Sequence, residues 1–270
     1  MKKITVLIPC YNEAEAIADV IRKVPADQLK PLGYSVEILV IDNNSTDNTA
    51  EIASAAGARV IHEGKKGKGN AIRSGFYALS DDTDFVVMLD GDDTYRAEEI
   101  MRLIEPIESG FAQVILGSRM MGFVSEGSMH RLNRLGNVIY SWLVRTVYRV
   151  PVTDVLTGYY AWSIDAVKEL RPHLVSTDFA IEMEMTTKMA RLNQRVYSVP
   201  ISYDARQGDS SLHPVRDGLR IMRMFLRNLT WKKPSLEPSN ISRELHAAGA
   251  VNDGVVSGEH QPATSDSSSI

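Results

Sequence analysis

The chain has 270 residues and a formal net charge of −4, long enough to bury a full core as one domain and without the basic balance of general nucleic-acid binders. Its single cysteine, Cys10, excludes an intramolecular disulfide and a cysteine-based zinc cluster, which fits a reducing compartment and a small buried side chain. No run reaches the ~20 apolar residues that span a bilayer, and the N-terminus lacks a signal-peptide pattern, so neither a transmembrane helix nor a leader is expected.

Up to about residue 120 the sequence repeats one unit: a short apolar run, a polar loop, then an amphipathic helix. Residues 4–8 predict the first strand, and Asn12 is placed to cap a helix with the stripe Ile17, Val20, Ile21 and Val24. Residues 36–41 predict the second strand, followed by a helix that starts within 45–47 and ends at Gly57. A third strand over 58–61 and a helix over 70–79 come next. A strand over 85–89 leads to a helix over 96–105, which Pro106 is expected to end or kink. Residues 113–116 predict one more strand. This alternation implies an α/β fold: right-handed crossovers and a mixed, mostly parallel sheet with helices on both faces.

The second half is more helical. Residues 179–192 predict a helix, which sets Glu182 and Glu184 on different faces. Residues 131–149 carry Val138, Ile139, Trp142, Leu143 and Val147, and residues 215–233 carry Leu219, Met222, Phe225, Leu226 and Trp231. Both interleave these side chains with arginines, as interfacial helices do; the competing reading is a pair of helices packed on the core. From Pro234 the composition shifts to Ser, Pro, Gly, Asn and Ala, predicting a disordered tail over 234–270.

The chemistry concentrates at Asp90-Gly91-Asp92, directly after the apolar run 85–89. Carboxylates past the carboxyl end of a strand sit at the sheet rim, where open α/β folds place ligands. Two anionic oxygen donors suit a hard divalent cation, and that cation suits a diphosphate whose charge grows as a bond breaks. The same tripeptide also reads as an ordinary strand-to-helix turn. Its context favours the metal: polar clusters end the other strands at 9–13 and 42–47, and a parallel sheet brings all three ends to one crevice. The six histidines show no metal-ligand spacing.

Four segments together resemble family 2 glycosyltransferases: Ile-Pro-Cys-Tyr-Asn-Glu at 8–13, Val-Ile-Asp-Asn-Asn-Ser-Thr-Asp at 40–47, Gly-Lys-Gly-Asn-Ala at 67–71, and Asp90-Gly-Asp92. The match in order and spacing runs over residues 4–230 and implies an inverting enzyme with a GT-A, Rossmann-like nucleotide-sugar-binding fold. The later motifs, at 154–159, 179–185 and 206–212, resemble the polyprenol-phosphate branch that includes the dolichol-phosphate mannose synthases. The implied organisation is a catalytic domain over 1–233, with a donor half at 1–120 and an acceptor half at 121–233.

The resemblance also implies roles. Pro9, Tyr11 and Glu13 match the loop around the nucleoside, and Asp42 with Asn43 matches the pair that reads base and ribose. Many relatives carry a second acid at Asn43, which leaves guanine or uracil open. Lys68 matches a basic position near the diphosphate, with a solvated loop beside Lys65 and Lys66 as the plainer reading. Asp90 and Asp92 match metal and ribose ligands for Mg2+ or Mn2+, Asp92 being the direct ligand. Thr94 stands where the mannose synthases carry Gln. Glu184 is placed near the reacting sugar, against a composition-based reading of both helix acids as surface residues.

Arg206 suits bidentate phosphate recognition, and Ser210-Ser211 replaces the Ser-Lys of the branch, so that either Arg206, Arg131 or Arg216 supplies the charge or the acceptor differs from that of the best-known branch members. A hydroxyl acceptor would need a base, for which Glu184 and Asp154 are candidates, whereas a lipid phosphate would not.

The implied reaction moves a sugar from GDP-mannose or a UDP-hexose to a polyprenyl or dolichyl phosphate. It takes place at the cytoplasmic membrane face, to which the protein attaches peripherally. A soluble or glycan acceptor is the alternative, with a sugar-nucleotide nucleotidyltransferase and a non-catalytic nucleotide-sugar-binding module behind it.

Overall fold

The computed structural model describes residues 1–206 and 213–234. The expectations for Ser210-Ser211 and for the tail beyond Pro234 lie outside these residues. Seven strands form one sheet: β1 (Lys2–Cys10), β2 (Tyr34–Asp42), β3 (Arg59–His62), β4 (Phe85–Met88), β5 (Val114–Ser118), β6 (Tyr160–Ser163) and β7 (Val196–Pro200), in the order β3-β2-β1-β4-β6-β5-β7. Only β6 runs antiparallel to its neighbours, β4 and β5. The α-helices are α1 (Ile17–Lys23), α2 (Ala26–Leu29), α3 (Thr49–Ala55), α4 (Lys68–Tyr77), α5 (Ile100–Glu108), α6 (Arg131–Tyr148), α7 (Ile164–Leu170), α8 (Ile181–Arg191) and α9 (Pro214–Asn228).

Strand alternation builds two cores. Leu7, Leu39, Ile41, Val86 and Met88 face one side, where Ile72 and Phe76 of α4 and Met183 and Met185 of α8 cover them. Ile4, Val6, Ile8, Val40, Val87 and Leu89 face the other, under Ile17 of α1 and Ile100, Leu103 and Ile104 of α5. Near-continuous apolar strands are what a sheet buried on both faces requires. The register sets Cys10 beside Asp42 and Leu7 beside Met88, so β1 and β2 end level and β4 ends three residues short of them at the same edge. The loops after β1, β2 and β4 therefore leave the sheet side by side.

Some boundaries differ from the sequence reading. Asn12 does not cap a helix. It adopts a left-handed conformation with φ of 55°, and its Oδ1 accepts from Thr46 N at 2.8 Å, a contact across loops that local pattern does not encode. Residues 45–47 do not open α3 either; Asp47 Oδ1 accepts from Thr49 N at 3.1 Å just before the helix. Pro106 neither ends nor breaks α5, which continues to Glu108 because Ile104 and Ile107 on the same turn are buried. Strands β6 and β7 were not expected.

Helices α6 and α9 pack on the core with one face and leave the other exposed. Their inner faces, with Val144 and Tyr148 on one and Ile221 and Phe225 on the other, join the core. Tyr140 Oη donates to Gly218 O at 2.8 Å and Tyr148 Oη to Phe225 O at 2.9 Å, so the two helices run parallel. Their outer faces leave Leu132, Leu135, Ile139 and Trp142 of α6, and Val215, Leu219 and Leu226 of α9, exposed.

Candidate active site

The three loops that leave the sheet together enclose a cavity of about 680 Å³. Pro9, Tyr11, Glu13, Asn43, Lys68, Asp90, Asp92 and Arg206 all line it. Gly91 is required between the two aspartates, because a Cβ there would fall 2.6 Å from Cys10 Sγ. Asp42 is not among the lining residues. It is buried, with Oδ2 2.9 Å from His62 Nδ1 and Oδ1 accepting from Ser45 N at 3.3 Å.

Asn43 has most of its polar capacity committed. Its amide donates to Lys65 O at 2.8 Å and Glu63 O at 3.3 Å, while its Oδ1 accepts from Gly67 N at 2.6 Å. An acid at this position could accept from Gly67 but could not donate to the two carbonyls. The amide thus folds the 63–67 loop.

Asp92 is buried and oriented by Thr94, whose Oγ1 donates to Asp92 Oδ1 at 2.6 Å and whose N–H donates at 3.2 Å. Its Oδ2 lies 3.3 Å from the Arg206 guanidinium, which also reaches Glu13 Oε1 at 2.8 Å. Burial and the neighbouring Asp90 charge push the Asp92 carboxyl above its ordinary pKa. Burial pushes Glu13 up to about 7, with Asp92 and Asp90 adding to the shift and Arg206 opposing it. The Arg206 Nε is buried without a hydrogen-bond partner among the described residues.

Lys68 is no loop lysine in solvent. Its Nζ sits 2.8 Å from both Asp90 Oδ1 and Glu182 Oε1. Burial alone would lower its pKa, but the two carboxylates outweigh that and hold it well above the usual lysine value. Glu182, in turn, is raised by burial, with Lys68 opposing. The acid of α8 that faces the cleft is therefore Glu182, and neither cavity is lined by Glu184. Glu184 points into the protein instead, where Lys188 Nζ and the Val175 and Ser176 N–H groups take both of its oxygens. The expectation of Glu184 beside the reacting sugar is corrected accordingly. Helical phase explains the exchange, since two positions along α8 turn a side chain by ~200°.

A second cavity of about 530 Å³ adjoins the first. The two share Lys68, Asp90, Asp92, Phe179 and Arg206. From that common wall the second runs between α6 and α9, past Tyr140, Gly218 and Ile221, to Leu132 and Val215. Arg119 lines it and was not singled out from the sequence. It follows β5 directly, so the same strand-end rule that found the other three clusters would have found it. Its guanidinium donates to Asp154 Oδ2 at 2.7 Å and Oδ1 at 2.8 Å and lies 5.2 Å from the Tyr203 ring centroid. Asp154 also accepts from Arg119 N and Asn137 Nδ2 and is fully buried. It is a support for Arg119, not a base open to an acceptor. Arg131 and Arg216 are exposed and absent from the lining of both cavities.

The family model described as Glycosyl transferase family 2 matches residues 5–170. Among curated proteins, Glycosyltransferase AglJ of Haloferax volcanii is 37% identical over 219 residues, covering 80% of this chain and 68% of that protein. The Dolichyl-phosphate hexose transferase of the same organism is 29% identical over 226 residues, covering 83% and 92%. Glucosyl-3-phosphoglycerate synthase from Mycobacterium tuberculosis, solved in complex with Mn2+, uridine diphosphate and phosphoglyceric acid, superposes with a TM-score of 0.64. That alignment covers 87% of this chain and 80% of the other at 23% identity, a likeness that shows a shared GT-A-like fold.

Proposed function

Because the chain belongs to glycosyl transferase family 2 and is a nucleotide-sugar-dependent glycosyltransferase, we propose that it passes a hexosyl unit from a nucleoside-diphosphate sugar to a polyprenyl phosphate, with inversion, at a membrane surface. One observation carries this reading: two cavities meet at Lys68, Asp90, Asp92 and Arg206, and the second leads between α6 and α9 to exposed apolar side chains. The first cavity takes the donor, with Pro9, Tyr11 and Glu13 around the nucleoside, Asp42 and Asn43 behind it, and Lys68 and Arg206 at the diphosphate.

A divalent ion fits the residues present. Asp90 and Asp92 offer hard oxygen donors, and burial with the adjacent Asp90 charge raises the Asp92 pKa against the opposition of Arg206, a strain that a cation between the two carboxylates would relieve. No group of three or more metal-ligating side chains stands together among the described residues, so diphosphate and water oxygens would complete a Mg2+ or Mn2+ shell. When bound, the ion supplies charge neutralisation to the departing diphosphate. Thr94 serves it by orienting Asp92, in place of a ligand of its own.

The acceptor cavity favours an anionic nucleophile. Its acids are committed: Asp90 and Glu182 to Lys68, Asp92 to Thr94 and Arg206, and Asp217 to His213 N and Arg220. With Arg119 and Arg206 on its wall, an ionised phosphate is recognised directly and needs no base to accept a proton. The apolar tail then leaves past Leu132 and Val215. On α9, Val215, Leu219 and Leu226 form a stripe at helical spacing, and the exposed Arg216, Arg223 and Arg227 form another one residue on. That pairing suits a helix lying in a membrane interface. No helix among the described residues is long and apolar enough to cross a membrane. A soluble phosphate-bearing acceptor is the second reading, favoured by the same arginines.

Turnover tests the proposal. The protein is incubated with Mg2+ or Mn2+, radiolabelled GDP-mannose, UDP-glucose or UDP-N-acetylglucosamine, and a short polyprenyl phosphate, beside an Asp92→Ala control. Label entering the lipid phase only with the wild-type protein is the expected result. Metal-dependent donor hydrolysis with no lipid labelling would sink the lipid acceptor and leave the soluble one.

A further inference from the structure

Glu184 lies outside both cavities yet is fully buried and fully engaged. Its Oε1 accepts from Lys188 Nζ at 2.6 Å, its Oε2 from Ser176 N at 2.7 Å, and both from Val175 N at 3.1 Å. Lys188, one turn later on α8, also donates to His173 O and lies 5.3 Å from the Trp231 ring centroid. Together the two side chains hold the main chain of residues 173–176.

The next carbonyls of that segment press on the first turn of α4. A Cβ built at Gly69 falls 2.4 Å from Ser176 O, and one at Gly67 falls 2.0 Å from Thr177 O. Only glycine lets the two backbones come this close. Lys68 stands between these glycines, and its ammonium is the cation that joins Asp90 to Glu182. From the opposite direction, Asn43 Oδ1 accepts from Gly67 N at 2.6 Å. Two residues past Thr177, Phe179 lines both cavities.

We infer that Glu184 is a positioning residue for the donor site: with Lys188 it sets the 173–177 segment against Gly67 and Gly69, and so fixes where Lys68 and Phe179 stand. Helix α8 then acts on Lys68 twice, through Glu182 at the ammonium and through Glu184 at the backbone. Glu184 itself touches neither donor nor acceptor. The inference rests on the reading of the first cavity as the donor site.

Two variants of the full-length protein test it from opposite sides. Glu184→Gln keeps the side-chain shape but turns one acceptor into a donor that faces Lys188 or the Val175 and Ser176 N–H groups. Gly69→Ala pushes on the same contact from α4 and leaves the buried pair intact. The first readout is the reductive-methylation rate of Lys68 by peptide mass spectrometry below each melting temperature, with Lys65 and Lys66 as internal references. Lys68 labelling rises about tenfold in both variants while the references hold, the scale of losing a support behind a ligand-binding group. The second readout is the Kd of UDP and of GDP with Mn2+ by calorimetry, corrected for the folded fraction. The Kd of whichever diphosphate binds rises about tenfold, and Glu184→Gln adds little on a Lys68→Met background.

Lower melting temperatures with unchanged Lys68 labelling and unchanged Kd would assign Glu184 a purely structural role and overturn the inference while the donor site stands. A wild-type protein that binds neither diphosphate would overturn the donor-site reading, and the labelling would still decide whether Glu184 controls Lys68.

Discussion

Replacing Asp154 by asparagine separates a supporting role from a chemical one. Asp154 is fully buried and accepts from four donors: Arg119 Nε at 2.7 Å, Arg119 Nη2 at 2.8 Å, Arg119 N at 2.9 Å and Asn137 Nδ2 at 2.6 Å. Asparagine keeps the volume, so no cavity opens. It removes the charge opposite a guanidinium that is itself only 11% exposed and turns one acceptor atom into a donor among donors. Breaking one side of a buried ion pair costs about 3–5 kcal/mol. Arg119 borders a cavity, and water entering there places the expected loss near the lower end, about 3 kcal/mol. With a urea dependence of about 2–3 kcal/mol per molar for a domain of this size, the unfolding midpoint falls by about 1–1.5 M. Arg119→Met in the same chain recovers part of this loss, because the orphaned charge goes with it. Urea unfolding followed by circular dichroism reads all three proteins. A midpoint within about 0.3 M of wild type, together with a collapse of turnover, would refute the reasoning and return Asp154 to the role of a base.

Glu13 carries a pH signature. Its carboxyl is raised from 4.5 to about 7 in the folded protein, so the associated stability is fully present below pH 4.5 and is lost as pH rises through 7. In chelator, Glu13→Gln therefore melts like wild type at pH 4 and is more stable at pH 8, by on the order of 2–3 kcal/mol; a Gln variant less stable at pH 8 contradicts the assignment. At the outer face, Trp142→Glu combined with Leu219→Glu leaves the melting temperature within a few degrees of wild type, since both side chains are more than half exposed. Flotation with vesicles containing anionic lipid falls at least about 100-fold, two apolar anchors being worth roughly 1.5–3 kcal/mol each. Undiminished flotation would remove α6 and α9 from the membrane contact.

The donor side was more legible in the sequence than the acceptor side, for a physical reason. Strands β1, β2 and β4 are apolar runs bounded by polar loops, and parallel pairing alone brings their carboxyl ends, at Cys10, Asp42 and Leu89, to one edge of the sheet. Local pattern therefore carried the convergence of Glu13, Asn43 and Asp92. Strand β6 has four residues and owes its place to β4 and β5 on either side, partners that no local period announces. The choice between Glu182 and Glu184 depends on the rotation of α8 about its axis, which packing sets. A signal was present all the same: Glu184 and Lys188 stand four apart, the spacing of a helical ion pair, whereas Glu182 has Thr186 at that spacing and takes Lys68 from another helix.

Charge at the junction of the two cavities decides how the donor enters. Glu13, Asp90, Asp92 and Glu182 meet Lys68 and Arg206 there, four carboxylates against two cations. Counted as ionised, they leave two negative charges to meet an anionic diphosphate. Two unit charges about 6 Å apart at an effective dielectric of about 20 repel by about 2.8 kcal/mol, a factor of about 100 in affinity. The junction is thus matched to a diphosphate that arrives with a divalent cation and opposes one that arrives alone. UDP or GDP, whichever binds, is expected to bind at least about 100-fold more tightly with Mn2+ than with chelator at pH 8. The gap narrows at pH 6, where Glu13, with its pKa near 7, is mostly protonated. Asp92→Asn inverts the comparison: it weakens binding with Mn2+ and strengthens binding in chelator, because it removes a negative charge and a metal donor in one step. Calorimetry under the four conditions reads both effects. Equal wild-type affinity with and without the metal would show that Lys68 and Arg206 suffice for the diphosphate, and that the surplus of carboxylates at the junction serves something other than a cation.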